Sequence, residues 1–375
     1  MKSRVNQYLL ESWFPRARGQ PLELDLIPLL QGYTPEHDDI IPALASSSTQ
    51  WQTLRTWLPL TFPSDTIRGR VPLLRKLEIG LPGPSYSFSP WASNPPWEPI
   101  SGFADAPQLR EVHLSGFTLP LIRLPWAQLT ILNCHGQRDS DCVEILQYTP
   151  YLETFIVYTA GSSYFKGLGD LEVDSPESTS RAGLVRLDHL YTLEFSKMQQ
   201  TLTLLNSLSF PALTRLTLSG VGSSFIPTLL AFIARSGCSL HSFSISAYYP
   251  ISDSQGVKWL AALPTVTEVS LDHVAWPEED FAAFVWRMTT DSDFLPNLQT
   301  LVLDECESNV PYGAVATMLA SRWHGRRPGI ARLRSFQLTL PVESSRYYGP
   351  PPEPSVLYAL RVLVADGCRI RVPGL

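Results

Sequence analysis

Apolar residues recur along this chain at a spacing that fits neither a plain helix stripe nor a plain strand alternation. In the segment 296–306, P-N-L-Q-T-L-V-L-D-E-C, the apolar positions are Leu298, Leu301 and Leu303, and Cys306 lies eight positions after the first leucine. A short strand in which Leu301 and Leu303 share one face accounts for the alternation. The pattern therefore predicts a strand that buries its leucines against the strands of neighbouring copies.

The same spacing occurs twelve times. The copies are Trp51/Leu54/Thr56, Leu74/Leu77/Ile79, Leu109/Val112/Leu114, Leu129/Leu132/Cys134, Leu152/Phe155/Val157, Leu190/Leu193/Phe195, Leu213/Leu216/Leu218, Leu240/Phe243/Ile245, Val266/Val269/Leu271, Leu298/Leu301/Leu303, Leu333/Phe336/Leu338 and Leu360/Leu363/Ala365. The first copy also fits a register shifted to Leu54/Trp57. In six copies a proline stands one or two residues before the first apolar position, where it ends a helix and starts an extended segment.

The spacing L-x-x-L-x-L-x-x-N/C is typical of leucine-rich repeats, which stack into solenoids. We expect an α/β fold: an irregular horseshoe with parallel strands on its concave face and helices and loops on its convex face. Residues 1–50 are expected to form an N-terminal helix–strand cap and a first helix. Residues 51–375 are expected to form the array of about twelve units. The predicted insertions are 81–103, 159–183 and 342–354, and helices are predicted over 225–235, over 252–262, after Pro277 and over 311–323.

Strand alternation divides each copy into buried and outward-facing residues, and the outward residues would line the concave face. The middle part of that surface is apolar and aromatic, with Ile131, Ile156 and Tyr158. Because a solvated strand is normally polar at such positions, we predict that these three residues bind a partner. Further along, the outward residues become acidic and would favour a basic segment of that partner; they are Glu268, Asp272, Asp304 and, beside Val362 and Val364, Asp366.

The insertion 81–103 contains several prolines and aromatic residues. Trp91 and Trp97 within it are further candidates for partner contact, since loops on a rigid scaffold commonly carry binding residues. The alternative is that this loop, like 342–354, only covers the edge of the solenoid.

Composition narrows the classes of partner and the compartment. The net charge is −6 and no basic block is present, so nucleic acid is not expected as a partner. The N-terminus has no apolar signal-peptide region, and the longest apolar run, near 226–234, is too short to cross a bilayer. The five cysteines form no C-x-x-C pair, which favours reduced thiols and a cytoplasmic or nuclear protein. Cys306 and Cys368 take the ninth position of their copies and are expected to face inward.

No pattern typical of catalysis or metal binding is present in the sequence. Zinc-ligand spacing, the G-x-S-x-G turn, a phosphate-binding glycine-rich loop and H-E-x-x-H are all missing. Asp272 and His273 are consecutive in a predicted strand, so we expect their side chains on opposite faces. The sequence therefore predicts a protein that is not an enzyme and that uses no cofactor and no metal.

The P-x-L-x-x-L-x-L strands, the ninth-position cysteines and the irregular insertions together resemble the leucine-rich-repeat region of F-box proteins. The order of a helix at Tyr8–Phe14, a strand at Pro21–Leu26 and a Trp-bearing copy at Trp51–Leu54 is similar to that of fungal, basidiomycete-type F-box-like proteins. The resemblance implies the substrate-recognition part of a ubiquitin-ligase receptor. The F-box itself, which docks onto the ligase adaptor, is not recognisable before Pro21, so the adaptor is expected as a partner only if an F-box lies upstream of Met1.

The expected function is therefore a non-enzymatic, protein-binding scaffold that holds a protein substrate or partner on its concave face. One alternative is a freestanding repeat adaptor without a role in ubiquitin transfer, which the upstream coding sequence would distinguish. Another is a small-molecule receptor that uses the concave face and the aromatic loop, which a deep pocket beneath 81–103 would favour.

Overall fold

A computed structural model describes most of the chain. The described residues are 12–17, 19–26, 40–57, 64–80, 99–115, 121–136, 139–158, 183–196, 202–221, 225–247, 258–274, 276–305, 310–325, 328–339, 352–373 and 375. The chain divides into two compact units, Met1–Leu190 and Tyr191–Leu375.

In the first unit, six described strands run parallel and neighbour one another in chain order. They are β1 (Leu22–Asp25), β2 (Trp51–Trp57), β3 (Lys76–Gly80), β4 (Glu111–Ser115), β5 (Ile131–His135) and β6 (Thr154–Tyr158), and the short strand β7 (Val185–Arg186) follows. The described helices are α1 (Ile40–Ser46), α2 (Ser64–Ile67) and α3 (Asp139–Gln147), with 3-10 turns at Phe14–Ala17, Ser48–Gln50 and Trp126–Gln128. The register is in step, since Leu77 of β3 lies opposite both Leu54 and Val112.

The second unit contains a further seven described parallel strands, again in chain order. They are β8 (Thr192–Ser196), β10 (Arg215–Val221), β11 (Ser242–Ala247), β12 (Glu268–Asp272), β13 (Thr300–Asp304), β14 (Ser335–Leu338) and β15 (Arg369–Arg371), while β9 (Leu208–Ser209) lies outside this series. The described helices are α4 (Leu202–Asn206), α5 (Phe225–Ser236), α6 (Glu278–Thr290), α7 (Tyr312–His324) and α8 (Pro354–Ala365), with a 3-10 segment at Lys258–Ala262. Helix α7 packs against α6 and α8.

The first eleven of the apolar triplets that the spacing singled out lie in the cores of the two units, together with buried side chains of the helices. No side chain in the first eleven triplets, from Trp51/Leu54/Thr56 to Leu333/Phe336/Leu338, is more than 2% exposed. Even Thr56, the one polar member, is 1% exposed, which confirms the Leu54/Thr56 register of the first copy. The α/β fold with parallel strands is therefore confirmed, and the repeat-family assignment stays a prediction.

The prolines before the strands have a more specific role than ending a helix. The N–H of Leu74 donates to the carbonyl of Val71 at 3.3 Å, which closes a four-residue turn with Pro72 as its second residue. Leu298 closes the same turn onto Leu295, with Pro296 inside it. Proline suits this position because its fixed φ matches that of the second turn residue and its missing N–H is not needed there. The turn delivers the first leucine of the copy into the core.

The last of the twelve copies was predicted wrongly. Leu360 and Leu363 are buried, but they lie in helix α8 and not in a strand. Val362, Val364 and Asp366 therefore do not belong to an outward strand face. The final strand is β15, and Cys368 lies just before it, buried at 2% exposure.

Candidate binding surfaces on the two sheets

The outward face of the first unit is formed by the side chains that alternate with its buried triplets. On β5 and β6 these include the predicted residues Ile131, Ile156 and Tyr158, all half-buried. Strand register places His135 beside Tyr158, and the two rings stack with centroids 4.2 Å apart and planes 12° apart. The structure thus brings the three predicted residues together on one face with His135, another outward-facing residue of β5. We call these four residues the aromatic patch.

Two properties of the aromatic patch favour contact with another molecule. Partial desolvation of the ring, together with repulsion from His113, lowers the pKa of His135, so the stacked imidazole is neutral at pH 7. Between the two isoleucines lies Asn133, which is 8% exposed and whose side-chain oxygen has no hydrogen-bond donor among the described residues. Buried polar atoms are normally hydrogen-bonded, so a donor from a bound segment would remove the free-energy cost of leaving the Asn133 oxygen unpaired.

The outward face of β1 to β4 carries a ladder of ion pairs that sequence reasoning missed. Arg55 on β2 lies between Asp25 on β1, at 2.7 Å, and Glu78 on β3, which it meets with two nitrogens at 2.8 and 3.1 Å. One step along, Glu111 Oε1 lies 2.6 Å from Lys76 Nζ and 2.8 Å from His113 Nε2. Alternation from the buried triplets would have identified these outward positions.

The ladder shifts the pKa values of its carboxyl groups. The hydrogen bonds from Arg55 lower the pKa of Glu78, with partial burial opposing the shift. Partial burial would raise the pKa of Glu111, but the hydrogen bonds from Lys76 and His113 outweigh it and lower that pKa. Both carboxylates are ionised at neutral pH, so this part of the face is charged but internally paired. A charged partner gains little from it, which leaves the aromatic patch as the distinctive feature of the first unit.

The lowered pKa of Glu78 predicts a pH-dependent contribution to stability. A carboxyl group whose folded pKa lies below its unfolded value of about 4.3 stabilises above that value and loses its contribution as the pH falls through the folded pKa. We expect Glu78→Gln to lower the free energy of unfolding at pH 7 by up to about 1 kcal/mol, because the pair is partly exposed. Urea unfolding between pH 7 and pH 3 should show this difference shrinking below about pH 4.

The exposed Glu144 on α3 provides the control, since Glu144→Gln should leave stability unchanged at all of these pH values. A Glu78→Gln difference that stayed constant down to pH 3 would mean that the ionised carboxylate contributes nothing to stability.

In the second unit, the predicted acidic residues lie on the outward face of β12 and β13. Glu268 is exposed, and Asp272 lies directly opposite Asp304 in the register. Asp304 accepts a hydrogen bond from the Thr339 hydroxyl, and the Glu305 N–H donates to that hydroxyl at 3.0 Å. Asp304 is therefore engaged within the unit, as is Asp272, whose Oδ1 lies 2.7 Å from His273 Nδ1. The role of the three acidic residues in attracting a basic segment stays a prediction.

The expectation that Asp272 and His273 lie on opposite faces is wrong. His273 has a φ of 52°, in the left-handed region, so strand alternation ends before it. Its Nδ1 lies 2.7 Å from Asp272 Oδ1 and its Nε2 lies 2.7 Å from Glu305 Oε2. Although partial burial opposes it, the Asp272 hydrogen bond and the surrounding acids raise the pKa of His273. Both ring nitrogens face carboxylates, an arrangement that leaves neither to take a proton from a substrate.

The remaining predicted residues divide into buried and undescribed ones. Burial raises the pKa of the Cys134 and Cys368 thiols, as expected of inward-facing cysteines. Cys306, Trp91 and Trp97 lie outside the described residues. Within the described ranges, no cluster of three or more His, Cys, Asp or Glu side chains has the geometry to hold a metal ion.

Comparison with known proteins assigns no relative. Neither a protein-family model nor a curated protein sequence matches the chain. Among the helices of the described part, none is long and apolar enough to cross a bilayer.

Proposed function

We propose that this chain is a non-enzymatic, protein-binding leucine-rich-repeat scaffold and that it serves as the substrate-recognition part of an F-box-like ubiquitin-ligase receptor. The single observation that carries the binding role is the aromatic patch, in which His135 stacks on Tyr158 beside the half-buried Ile131 and Ile156. The repeat-family assignment is supported by eleven triplets with one spacing and one burial pattern. The ligase role is supported by the sequence resemblance.

The patch has the composition of a binding hot spot. Such sites combine aromatic side chains with flanking apolar contacts that exclude water, and they dominate the energy of an interface. Tyr158 and His135 supply flat, stacked surface that is already ordered, so little side-chain entropy is lost on binding. The paired charges of β1 to β4 border this patch and would form the polar rim of an interface.

Affinity purification followed by mass spectrometry tests the proposal. The full chain is used as bait beside Tyr158→Ala, and each captured protein is then measured for direct binding. We expect Tyr158→Ala to weaken the specific partner by roughly thirtyfold or more, which corresponds to about 2 kcal/mol. Stability should change little, since Tyr158 is half-buried on the outward side of the sheet.

Tyr151→Ala is the matched control. Tyr151 is a tyrosine of the same unit that is 60% exposed in the turn before β6, where its ring contacts His189 and none of the patch residues. It should retain every partner that wild type binds. If the partner binds Tyr158→Ala and wild type equally well, the aromatic patch is not the site.

The ligase role is tested in a separate experiment. The bait is expressed with and without the coding sequence upstream of Met1, and capture of a cullin–RING adaptor is scored. Capture that depends on the upstream sequence would support the receptor role. A substrate-like partner bound through Tyr158, with no adaptor captured by either bait, would refute the ligase role and leave the freestanding scaffold.

A further inference from the structure

Strand β15 is paired with a described strand on one side only, and we call its other side the open edge. Strand β15 pairs with β14 on one side, with Ser335 opposite Arg369 and Gln337 opposite Arg371. No described strand pairs with its other side. Because the Arg369 N–H donates to the Arg334 carbonyl at 3.0 Å, the alternation of a parallel strand directs the N–H and C=O of Ile370 towards the open side. An edge of this kind is a template for another extended segment.

The side chains at this edge lack the cover that other strands receive. Phe336, the inward residue of β14, is 1% exposed, whereas its neighbour Ile370 on β15 is only half-buried. Beside it lies an open groove of about 810 Å³, lined mainly by apolar side chains of β14, α8 and the C-terminal segment. Val364 and Leu375 in its wall are 42% and 36% exposed. The groove therefore offers apolar surface to alternate side chains of an added strand.

The charge around the edge has one sign. Arg369 and Arg371 are exposed on either side of Ile370, and Arg371 lines the groove together with the exposed Arg361 of α8. No acidic residue is among the described residues that line it. Asp366, at the end of α8, lies 3.7 Å from His324. An occupant whose outward side chains were carboxylates would therefore complement this edge.

We propose that the open edge of β15 binds an extended segment of a partner protein in which acidic and apolar residues alternate. The main chain of the segment pairs with Ile370, its apolar side chains enter the groove beside Val364, and its carboxylates face Arg369 and Arg371. This is the β-augmentation mode, in which main-chain hydrogen bonds supply affinity and alternate side chains supply specificity. The site lies in the second unit and does not depend on the aromatic patch.

Fluorescence anisotropy with short synthetic peptides tests the recognition. The probe is a capped, labelled peptide of alternating valine and glutamate, titrated with the full chain. A peptide of alternating valine and lysine should bind about tenfold more weakly or worse. Two further Val/Glu peptides separate main-chain pairing from charge: one is N-methylated on its valines and the other on its glutamates. Alternate residues of a strand direct their N–H groups to opposite edges, so only one of the two peptides loses its hydrogen bonds to β15, while both keep their charge. Equal binding of both methylated peptides, or no binding of the unmethylated probe, would overturn the proposal.

Charge reversal of the protein gives the reciprocal test. Arg369→Glu/Arg371→Glu should weaken the Val/Glu probe by about tenfold or more and strengthen the Val/Lys probe. Arg70→Glu/Arg123→Glu, two exposed arginines of the first unit, makes the same change in net charge and should alter neither. Arg361→Glu on α8 serves as a second edge variant if the double variant misfolds. Unchanged affinity of the Val/Glu probe for either folded edge variant would contradict the proposal.

A second copy of the chain is the competing occupant. Strand β1, with sequence Leu-Glu-Leu-Asp, carries the same alternation, although its Asp25 already pairs with Arg55. Sedimentation across a wide range of concentrations distinguishes the two occupants. A monomer that binds the probe supports the proposal. Oligomers that disappear in both Arg369→Glu/Arg371→Glu and Glu23→Lys would overturn it in favour of head-to-tail assembly.

Discussion

Leu216→Ala and Leu301→Ala are each expected to lower the free energy of unfolding of the second unit by roughly 2–5 kcal/mol. Both side chains have no exposed surface. Leu301 lies between Val269 of β12 and Phe336 of β14, and Leu216 lies between Leu193 of β8 and Phe243 of β11. Because strands pack on both sides, the cavity left by truncation cannot collapse from either side. Urea unfolding followed by circular dichroism measures the loss.

Val302→Ala is the matched control for Leu301→Ala. Val302 is the next residue on β13, but it faces outward and is half-buried. Its truncation removes fewer buried contacts and should cost less than about 1 kcal/mol. A loss below about 0.5 kcal/mol for Leu301→Ala, or a larger loss for Val302→Ala, would mean that the assignment of inward and outward positions is wrong. Hydrogen exchange of the first unit should be recorded in parallel, because arrays of this kind can unfold in pieces.

The spacing of apolar residues predicted the core so well because a single physical requirement fixes both spacing and burial. In L-x-x-L-x-L the last two leucines share the inward face of a strand, and the first enters the core through the turn before it. Leu298, Leu301 and Leu303 show this, each at most 1% exposed. The rule needs no knowledge of distant contacts, since a parallel strand buried on one face always demands alternation.

The same rule failed near the C-terminus because the spacing between the first two leucines of the pattern occurs in helices as well as before strands. Leu360 and Leu363 are three residues apart, a spacing that also places two side chains on one face of a helix. Pro354 begins helix α8, a position that proline favours. The true strand β15 contains only one apolar residue, Ile370, so it carries no triplet to recognise. An edge strand buries little and therefore has a weak sequence signal.

The polar features of the sheets depend on register and turn geometry, which spacing does not encode. Arg55 and Glu78 are 23 positions apart and meet only because β2 and β3 pair in one register. His273 meets Glu305 only because both residues adopt positive φ values, 52° and 45°. Neither φ value follows from residue type alone, since a positive φ is uncommon for every residue other than glycine. The candidate patch was found from sequence, whereas the stacking of His135 on Tyr158 required the structure.

Arg322 is another residue whose role could not be predicted from the sequence. Its substitution is expected to have the second large effect on stability. Nothing in the sequence marks it, yet it is 3% exposed within α7. Its guanidinium donates to the carbonyls of Met288 at 2.6 Å, Phe294 at 2.7 Å and Leu295 at 3.2 Å. The Met288 carbonyl lies in the last turn of α6, where no residue of that helix supplies a donor. One side chain of α7 thus satisfies the end of α6 and the segment that leads to β13.

Arg322→Met should lower the free energy of unfolding by roughly 3 kcal/mol or more. The variant keeps most of the side-chain length but removes the guanidinium donor from the buried carbonyls of Met288 and Phe294, while the Leu295 carbonyl keeps only the N–H of Leu298 at 3.3 Å. Each carbonyl that is left without a donor and that water does not reach costs about 1–3 kcal/mol. Arg322→Lys keeps the charge and reaches fewer carbonyls, so its loss should be intermediate. Arg332→Met is the control, because Arg332 is exposed and lies over the Trp323 ring at 3.4 Å, a contact of about 0.5–1 kcal/mol. Urea unfolding of the three variants ranks them, and an Arg322→Met protein as stable as Arg332→Met would show that water replaces the guanidinium.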